Sequence, residues 1–282
     1  MPSPPPPNHL IIVCGHAIWL GGPANGWDES EWLIEPYKKG ETPTFIAHIK
    51  AGLEELAKDD GAVLMFSGGP TRPETRLSEA QSYYNLALAN SFFGLSPSSS
   101  SAAAPSSFSN RIFLEERALD SYYNILFSLI HYWRVVHHPQ HAWPERITIV
   151  SHAFKRNRLV DGHCAAIFGL IPSQLELEKR VRFVGINPPG VDGVGSVDGD
   201  GGSKEKKEAM QGVQLALGQW AEDPHGVGEE LAGKRRARNC WGLDQRLFFS
   251  EEERRRSGVE TRMLEDGSEA LVDGEKPRPW AR

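Results

Sequence analysis

The chain lacks the short signatures that mark the common enzyme classes. No GxSxG elbow, CxxC pair, HExxH helix or GxxxxGK[ST] loop occurs in it, so the familiar hydrolase, zinc and P-loop assignments have no support. Cysteine is scarce. Cys14, Cys164 and Cys240 lie far apart without metal-ligand spacing, as expected of reduced thiols in an intracellular protein. Long apolar runs are missing too. The longest, Ile125 to Val136, is interrupted by His131 and Arg134 and is too short to span a bilayer. The opening MPSPPPPNHL has neither a basic nor an apolar signal region, and its prolines predict a disordered lead-in. An excess of positive charge is also absent. Lys and Arg number 31 against 37 Asp and Glu, a formal charge of -6, which argues against broad affinity for nucleic acid or a membrane surface but leaves room for a local basic pocket. The expectation is a cytoplasmic protein with no nucleic-acid and no membrane partner. There is no internal repeat.

What is present is an alternation. Short apolar runs at His9–Cys14, Ala62–Ser67, Arg111–Leu114, Arg146–Ser151 and Arg180–Ile186 read as strands. Between them, Phe45, Ile49, Leu53 and Leu56 recur at helical spacing within Thr44–Leu56. Further helices are expected over Ser78–Phe93, from Asp120 or Ser121 to Val136, over Asn157–Phe168 and over Lys204–Trp220. Strand–helix alternation predicts an α/β fold, a three-layer sandwich whose mostly parallel sheet is covered on both faces. The length suits one such domain, residues 9–245. Ser96–Ser109 reads as a low-complexity surface insertion and Gly190–Ser203 as a flexible linker. The charged tail, residues 246–282, is expected to be poorly ordered.

In a parallel sheet every strand's carboxyl end opens on one edge, where such folds bind their ligands. The richest exit is VLMFSGGPTRPETRLSEAQ, residues 63–81. Its Ser67, Gly68 and Gly69 suit either a plain tight turn or a cradle of backbone amides for a ligand. Ser78 and Gln81 form a capping-box pattern for the following helix. Glu79 in its first turn either complements the helix dipole or serves chemistry. The exit SHAFKRNR, Ser151–Arg158, gathers Ser151, His152, Arg156 and Arg158. It is either a solvated basic turn or an anion clamp with a general acid or base. His16, directly after Gly15, is either a loop histidine or a proton-transfer group. Of Glu115 and Glu116, one is expected to face the cleft and the other water. His137, His138 and His141 read as a surface loop, and Lys234, Arg235, Arg236 and Arg238 either as a solvated helix face, the favoured reading, or as a segment folded back over the cleft that adds positive charge.

These blocks, in this order, resemble the SanA/YdcF/ElyC-like family, a domain family of unknown function. The matching residues are Ser67, Gly68, Gly69, Ser78, Glu79 and Ala80, then Glu116, Asp120, Ser121 and Asn124, then Ser151, Phe154 and Arg158. The likeness covers roughly residues 9–187. It implies a Rossmann-like fold with the matched residues, Ser121 and Asn124 included, lining one cleft. The chain departs from the family where Lys155 replaces a histidine, Asn157 a proline and Tyr123 a glutamate. Without the bacterial membrane anchor it looks like a soluble eukaryotic, fungal-type branch. The expected function is a hydrolase or transferase acting on a small anionic metabolite, phosphorylated or nucleotide-like. In it Gly15, Ser67–Gly69, Ser121, Asn124, Ser151, Arg156 and Arg158 bind, and His16, His152, Glu79 and Glu116 do chemistry. The alternatives are a non-catalytic binding module and an interaction protein with a vestigial cleft. The sequence names no cofactor.

Overall fold

The computed structural model describes residues 7–95, 108–136, 141–169, 174–191, 204–274 and 277–281. The Ser-rich insertion (apart from Phe108 and Ser109), most of the linker and His137 and His138 lie outside them.

Five parallel strands form the central sheet: β1 (His9–Cys14), β4 (Ala62–Ser67), β5 (Ile112–Glu115), β6 (Arg146–Ser151) and β7 (Val181–Gly185), in the order β5-β4-β1-β6-β7. β1 and β4 are buried at every position, as strands covered on both faces must be. A small antiparallel ribbon, β2 (Ile18–Trp19) with β3 (Trp32–Leu33), follows β1. One face carries α1 (Thr42–Lys58) and α2 (Glu79–Ala89), whose Phe45, Ile49, Leu53, Tyr83 and Leu86 meet Ile11, Val13, Leu64 and Phe66 of the sheet. The other face carries α3 (Ser121–Val135), a π-helix (Asn157–Cys164) and α4 (Ala165–Phe168), packed on Leu10, Ile12, Val63, Met65 and Ile149. This is a Rossmann-like α/β three-layer sandwich.

Local chemistry starts the helices where the sequence says. The Ser78 hydroxyl accepts from the Gln81 amide at 2.9 Å, and Asp120 accepts from the Tyr122 and Tyr123 amides, both at 3.0 Å. Differences are equally local. Arg111 does not open β5. It closes a short 3₁₀ turn and donates to the carbonyls of Leu56, Asp59 and Ala62, tying off the end of α1. The expected helix over Asn157–Phe168 starts as a π-helix, and helix α2 stops at Ala89.

The tail after residue 245 is not poorly ordered where it is described. It forms α8 (Glu251–Ser257), and β8 (Thr261–Met263) pairs with β9 (Glu269–Leu271). α5 (Gln174–Arg180), α6 (Lys204–Glu222) and α7 (Glu229–Arg238) precede it. Leu247, Phe248, Val259, Leu271 and Trp280 enter the same core as α3. Glu269, fully buried, accepts from the Leu247 and Phe248 amides and from Arg254. Apolar anchors spaced through a charged stretch hold this segment down despite its composition.

Candidate functional site

A cavity of about 600 Å³ opens at the carboxyl edge of the sheet. Its floor is the ends of β1 and β6, with Cys14, Gly15, His16, Ser151 and His152. Its walls come from the loop before α1 (Glu35, Tyr37, Lys38, Glu41), the loop before α2 (Thr71, Arg72), the start of α3 (Asp120, Ser121, Asn124) and the turn after β6 (Phe154, Lys155, Arg158). α6 and α7 form the remaining side, with Trp220, Lys234, Arg235 and Arg238. Seven basic and four acidic side chains line it, so the cavity is cationic although the chain carries -6. Such a concave, low-dielectric setting focuses positive potential on an entering ligand.

The chemistry converges on His16. Its Nε2 lies 3.1 Å from Ser151 Oγ and its Nδ1 lies 3.3 Å from Lys155 Nζ. Its amide donates to the Tyr83 hydroxyl, and Lys38 donates to its carbonyl. Burial first, then the neighbouring Lys155 and the other histidines, hold His16 well below the ordinary imidazole range, so the ring is neutral at pH 7. Burial, Arg158 and Lys38 together bring the Lys155 amine down to about 7. The state of this amine sets the tautomer of His16. A charged Lys155 donates to Nδ1 and leaves a hydrogen on Nε2. A neutral Lys155 accepts from Nδ1–H and frees Nε2 to take the proton of Ser151. A hydroxyl, a base and a group that orients the base are the parts of an activated nucleophile.

His48 and His152 pack against His16 at ring separations of 5.3 and 4.4 Å. His48 contacts the Ile186 carbonyl at 2.9 Å. His152 is buried with neither ring nitrogen hydrogen-bonded, although Nε2 faces the Glu41 carboxylate at 3.5 Å. Burial holds both rings neutral at pH 7.

Three cations in the cavity have no carboxylate within ion-pair distance among the described residues, Lys155, Arg158 and Arg238, and of these Arg238 is held by a backbone carbonyl. The Arg158 Nε is buried without a hydrogen-bond partner. Burial and the nearby Arg238 depress its guanidinium to about 10, so it stays charged. The remaining cations are engaged. Glu35 pairs with Lys38 at 2.7 Å and with Arg72 at 3.0 Å. Asp120 pairs with Arg235 at 3.2 Å, and Arg238 donates to the Leu119 carbonyl at 3.1 Å.

Of the residues expected at the site, the cavity gathers Gly15, His16, Glu79, Ser121, Asn124, Ser151, His152 and Arg158. Glu116, Ser67, Gly68, Gly69 and Arg156 do not line it. Glu116 accepts from the Ser78 hydroxyl at 2.7 Å and so braces a helix cap. Its neighbour Glu115 is buried, accepting from Ser67 and the Arg117 amide. Ser67 is buried beneath Asn124, whose amide donates to the Ser67 carbonyl at 2.9 Å. The amides of Gly68 and Gly69 are consumed by the carbonyls of Glu115 and Ala118, at 2.9 and 2.7 Å, so they form no anion cradle. The glycines make room for Glu79. A Cβ on Gly15 or Gly68 would fall 2.5 or 2.6 Å from its carboxylate oxygen, and Gly68 has φ +153° besides. Glu79, capped by the Thr71 hydroxyl at 3.0 Å, is pushed up in pKa by burial. Arg156 points outward to Asp161 and Glu178. Arg235 is not on a solvated face: it is buried against Asp120 and the Tyr123 ring.

Sequence reasoning missed Lys38, Arg72 and His48 as site residues, because the loops before α1 and α2 and the packing of α1 bring them in, whereas Lys234, Arg235 and Arg238 line the cavity as the folded-back alternative has it. Lys155 was within reach. Positions 155 and 158 are three apart and share a helical face, whereas 156 is turned away. Among the described residues, no group of three or more His, Cys, Asp or Glu side chains is arranged to hold a metal ion, and no helix is long and apolar enough to cross a membrane.

The chain is similar to an uncharacterised protein of Saccharomyces cerevisiae, 26% identical over 292 residues that span 89% of this chain and 91% of that protein. No protein-family model matches it, and no solved structure does.

Proposed function

We propose that the cleft binds a small organic anion, a phosphate ester or a similarly charged metabolite, and that His16 moves a proton during its hydrolysis or transfer. One observation carries this most: Lys155 and Arg158 stand together in the cavity without a carboxylate partner among the described residues, one with a buried unsatisfied N–H. Buried cations are ordinarily paired, and an anion supplies what the protein withholds. The Ser151–His16–Lys155 line sets a hydroxyl and an imidazole at hydrogen-bonding distance of each other, and His16 serves as base toward Ser151 in the state where Lys155 is neutral and Arg158 alone holds the anion's charge. The likeness of the Ser151, Asn124 and Arg158 blocks to SanA/YdcF/ElyC-like proteins supports the same assignment, with the chain as a soluble eukaryotic relative.

The test is to denature protein purified without added ligand and identify what it releases by mass spectrometry. An organic anion retained by the wild type and lost from Arg158→Ala is the expected result. A neutral molecule held equally by both would contradict the proposal.

Two predictions follow the geometry. Arg158→Lys keeps the charge but loses the planar fork. Affinity for the retained anion should fall by about 1.5–3 kcal/mol, the worth of a charge-assisted contact, in a calorimetric titration. Arg236→Lys, at an exposed pair with Glu229, should leave it unchanged. His16→Ala should lower turnover of that molecule about 10²–10⁴-fold while leaving affinity within a few-fold. Unaltered turnover would remove His16 from the chemistry and favour a binding module.

A further inference from the structure

A second cavity, about 670 Å³, lies on the far side of the π-helix and α6. It shares two lining residues, Arg158 and Trp220, with the cationic cleft, so the two adjoin across those side chains. Their characters are opposite. The second cavity is walled by Ala165, Ala166, Leu217, Trp220, Ala221 and Pro224. The polar groups at its edge away from Arg158 include two that are already engaged. His225 takes the Tyr122 hydroxyl at 2.7 Å on Nδ1 and Asp273 at 3.0 Å on Nε2, leaving only its ring to present. Arg278 donates to Asp273 and to the Ala166, Ile167 and Val272 carbonyls. A chamber of this size, mostly apolar and with Arg158 on the shared wall as its one charge lacking an ion-pair partner among the described residues, suits an uncharged organic group. A phosphate alone needs neither its volume nor its walls.

We propose that this chamber recognises the uncharged half of the ligand: the ligand is an aromatic phosphate ester whose anion meets Lys155 and Arg158 and whose ring lies in the second cavity against Trp220. The inference rests on the anion site proposed above and adds the class of molecule attached to the anion. The wall shared by the two cavities supplies the link. Arg158 is the last contact of the anion and the first of the ring, and its planar guanidinium can stack on an aromatic face while its N–H groups hold the charge. Selectivity among phosphates then comes from the apolar chamber, through the area of ring removed from water.

Calorimetry with inorganic phosphate and with 1-naphthyl phosphate tests it. The wild type should bind the naphthyl ester at least tenfold tighter than inorganic phosphate. Gly162→Leu places a side chain on the chamber wall where a Cβ meets only the Asn157 carbonyl at 3.7 Å, and Ala165→Leu fills the same space from one turn on. Each should bring the ester down to the affinity of inorganic phosphate and leave inorganic phosphate unchanged. Equal wild-type affinities for the two, or filled variants that still prefer the ester, would overturn the chamber's role. If inorganic phosphate does not bind at all, the anion site itself fails and this inference with it. Photolabelling the wild type with 4-azidophenyl phosphate needs no variant. Adducts should map to residues 161–166 or 217–225, and adducts confined elsewhere would contradict the assignment.

Discussion

Lys155→Met will abolish most anion binding and, at the same time, make the empty protein more stable. The amine sits among Arg158, Lys38 and neutral histidines, with no carboxylate in ion-pair reach among the described residues. Removing one member of a buried, hydrogen-bonded charge pair costs about 2–5 kcal/mol of binding, so sulfate affinity should fall at least thirtyfold. The stability change has the opposite sign. The amine's pKa drops from 10.5 to about 7 on folding, so folding disfavours the charged form. Stability is therefore present above pH 10.5, declines as pH falls, and is fully lost below 7. At about 1.4 kcal/mol per pKa unit, the methionine variant should gain on the order of 4–5 kcal/mol at most at pH 6 and only about 2 kcal/mol at pH 9. Urea denaturation at the two pH values measures this. A variant less stable than wild type at pH 6, or with a gain that does not shrink at pH 9, would mean that the amine is paired in the folded protein.

Trp280→Ala should cost about 3–5 kcal/mol, the usual range for truncating a buried tryptophan. Trp280 is 1% exposed. It donates to the Ile167 carbonyl at 2.8 Å and packs edge-on against Trp143 at 4.8 Å. Trp280→Phe keeps much of the packing and loses the hydrogen bond, and should cost less. Urea midpoints of the two variants decide it. A loss below about 1 kcal/mol for the alanine variant, against the range for buried aromatic truncation, would show that the tail does not belong to the core.

The strands and caps were legible because their causes are local. β1, β4 and β6 are continuous apolar runs with the bounds read from sequence, and Ser78 and Asp120 cap the helices they precede. The failures have long-range causes. A Ser-Gly-Gly turn looks the same whether its amides meet a ligand or a carbonyl, and here the carbonyls of Glu115 and Ala118 arrive from a loop nearly fifty positions on. Arg111 reads as a strand residue until α1 is placed beside it. Arg235 reads as one of several surface cations until Asp120, over a hundred positions earlier, is seen to face it. The tail's charge hid the few apolar anchors that fix it. The shared edge of the sheet, by contrast, followed from strand alternation alone, and it brought His16, Ser151 and Arg158 into one cavity.

The most direct test of the cationic cleft is a calorimetric titration of the wild type with sulfate, an anion that does not itself titrate, at pH 6 and pH 9. At pH 6 Lys155 is charged and sulfate should bind. At pH 9 the empty site has lost that charge, so binding should be at least tenfold weaker and accompanied by proton uptake. The absence of binding at pH 6, or an affinity unchanged at pH 9, would contradict the account.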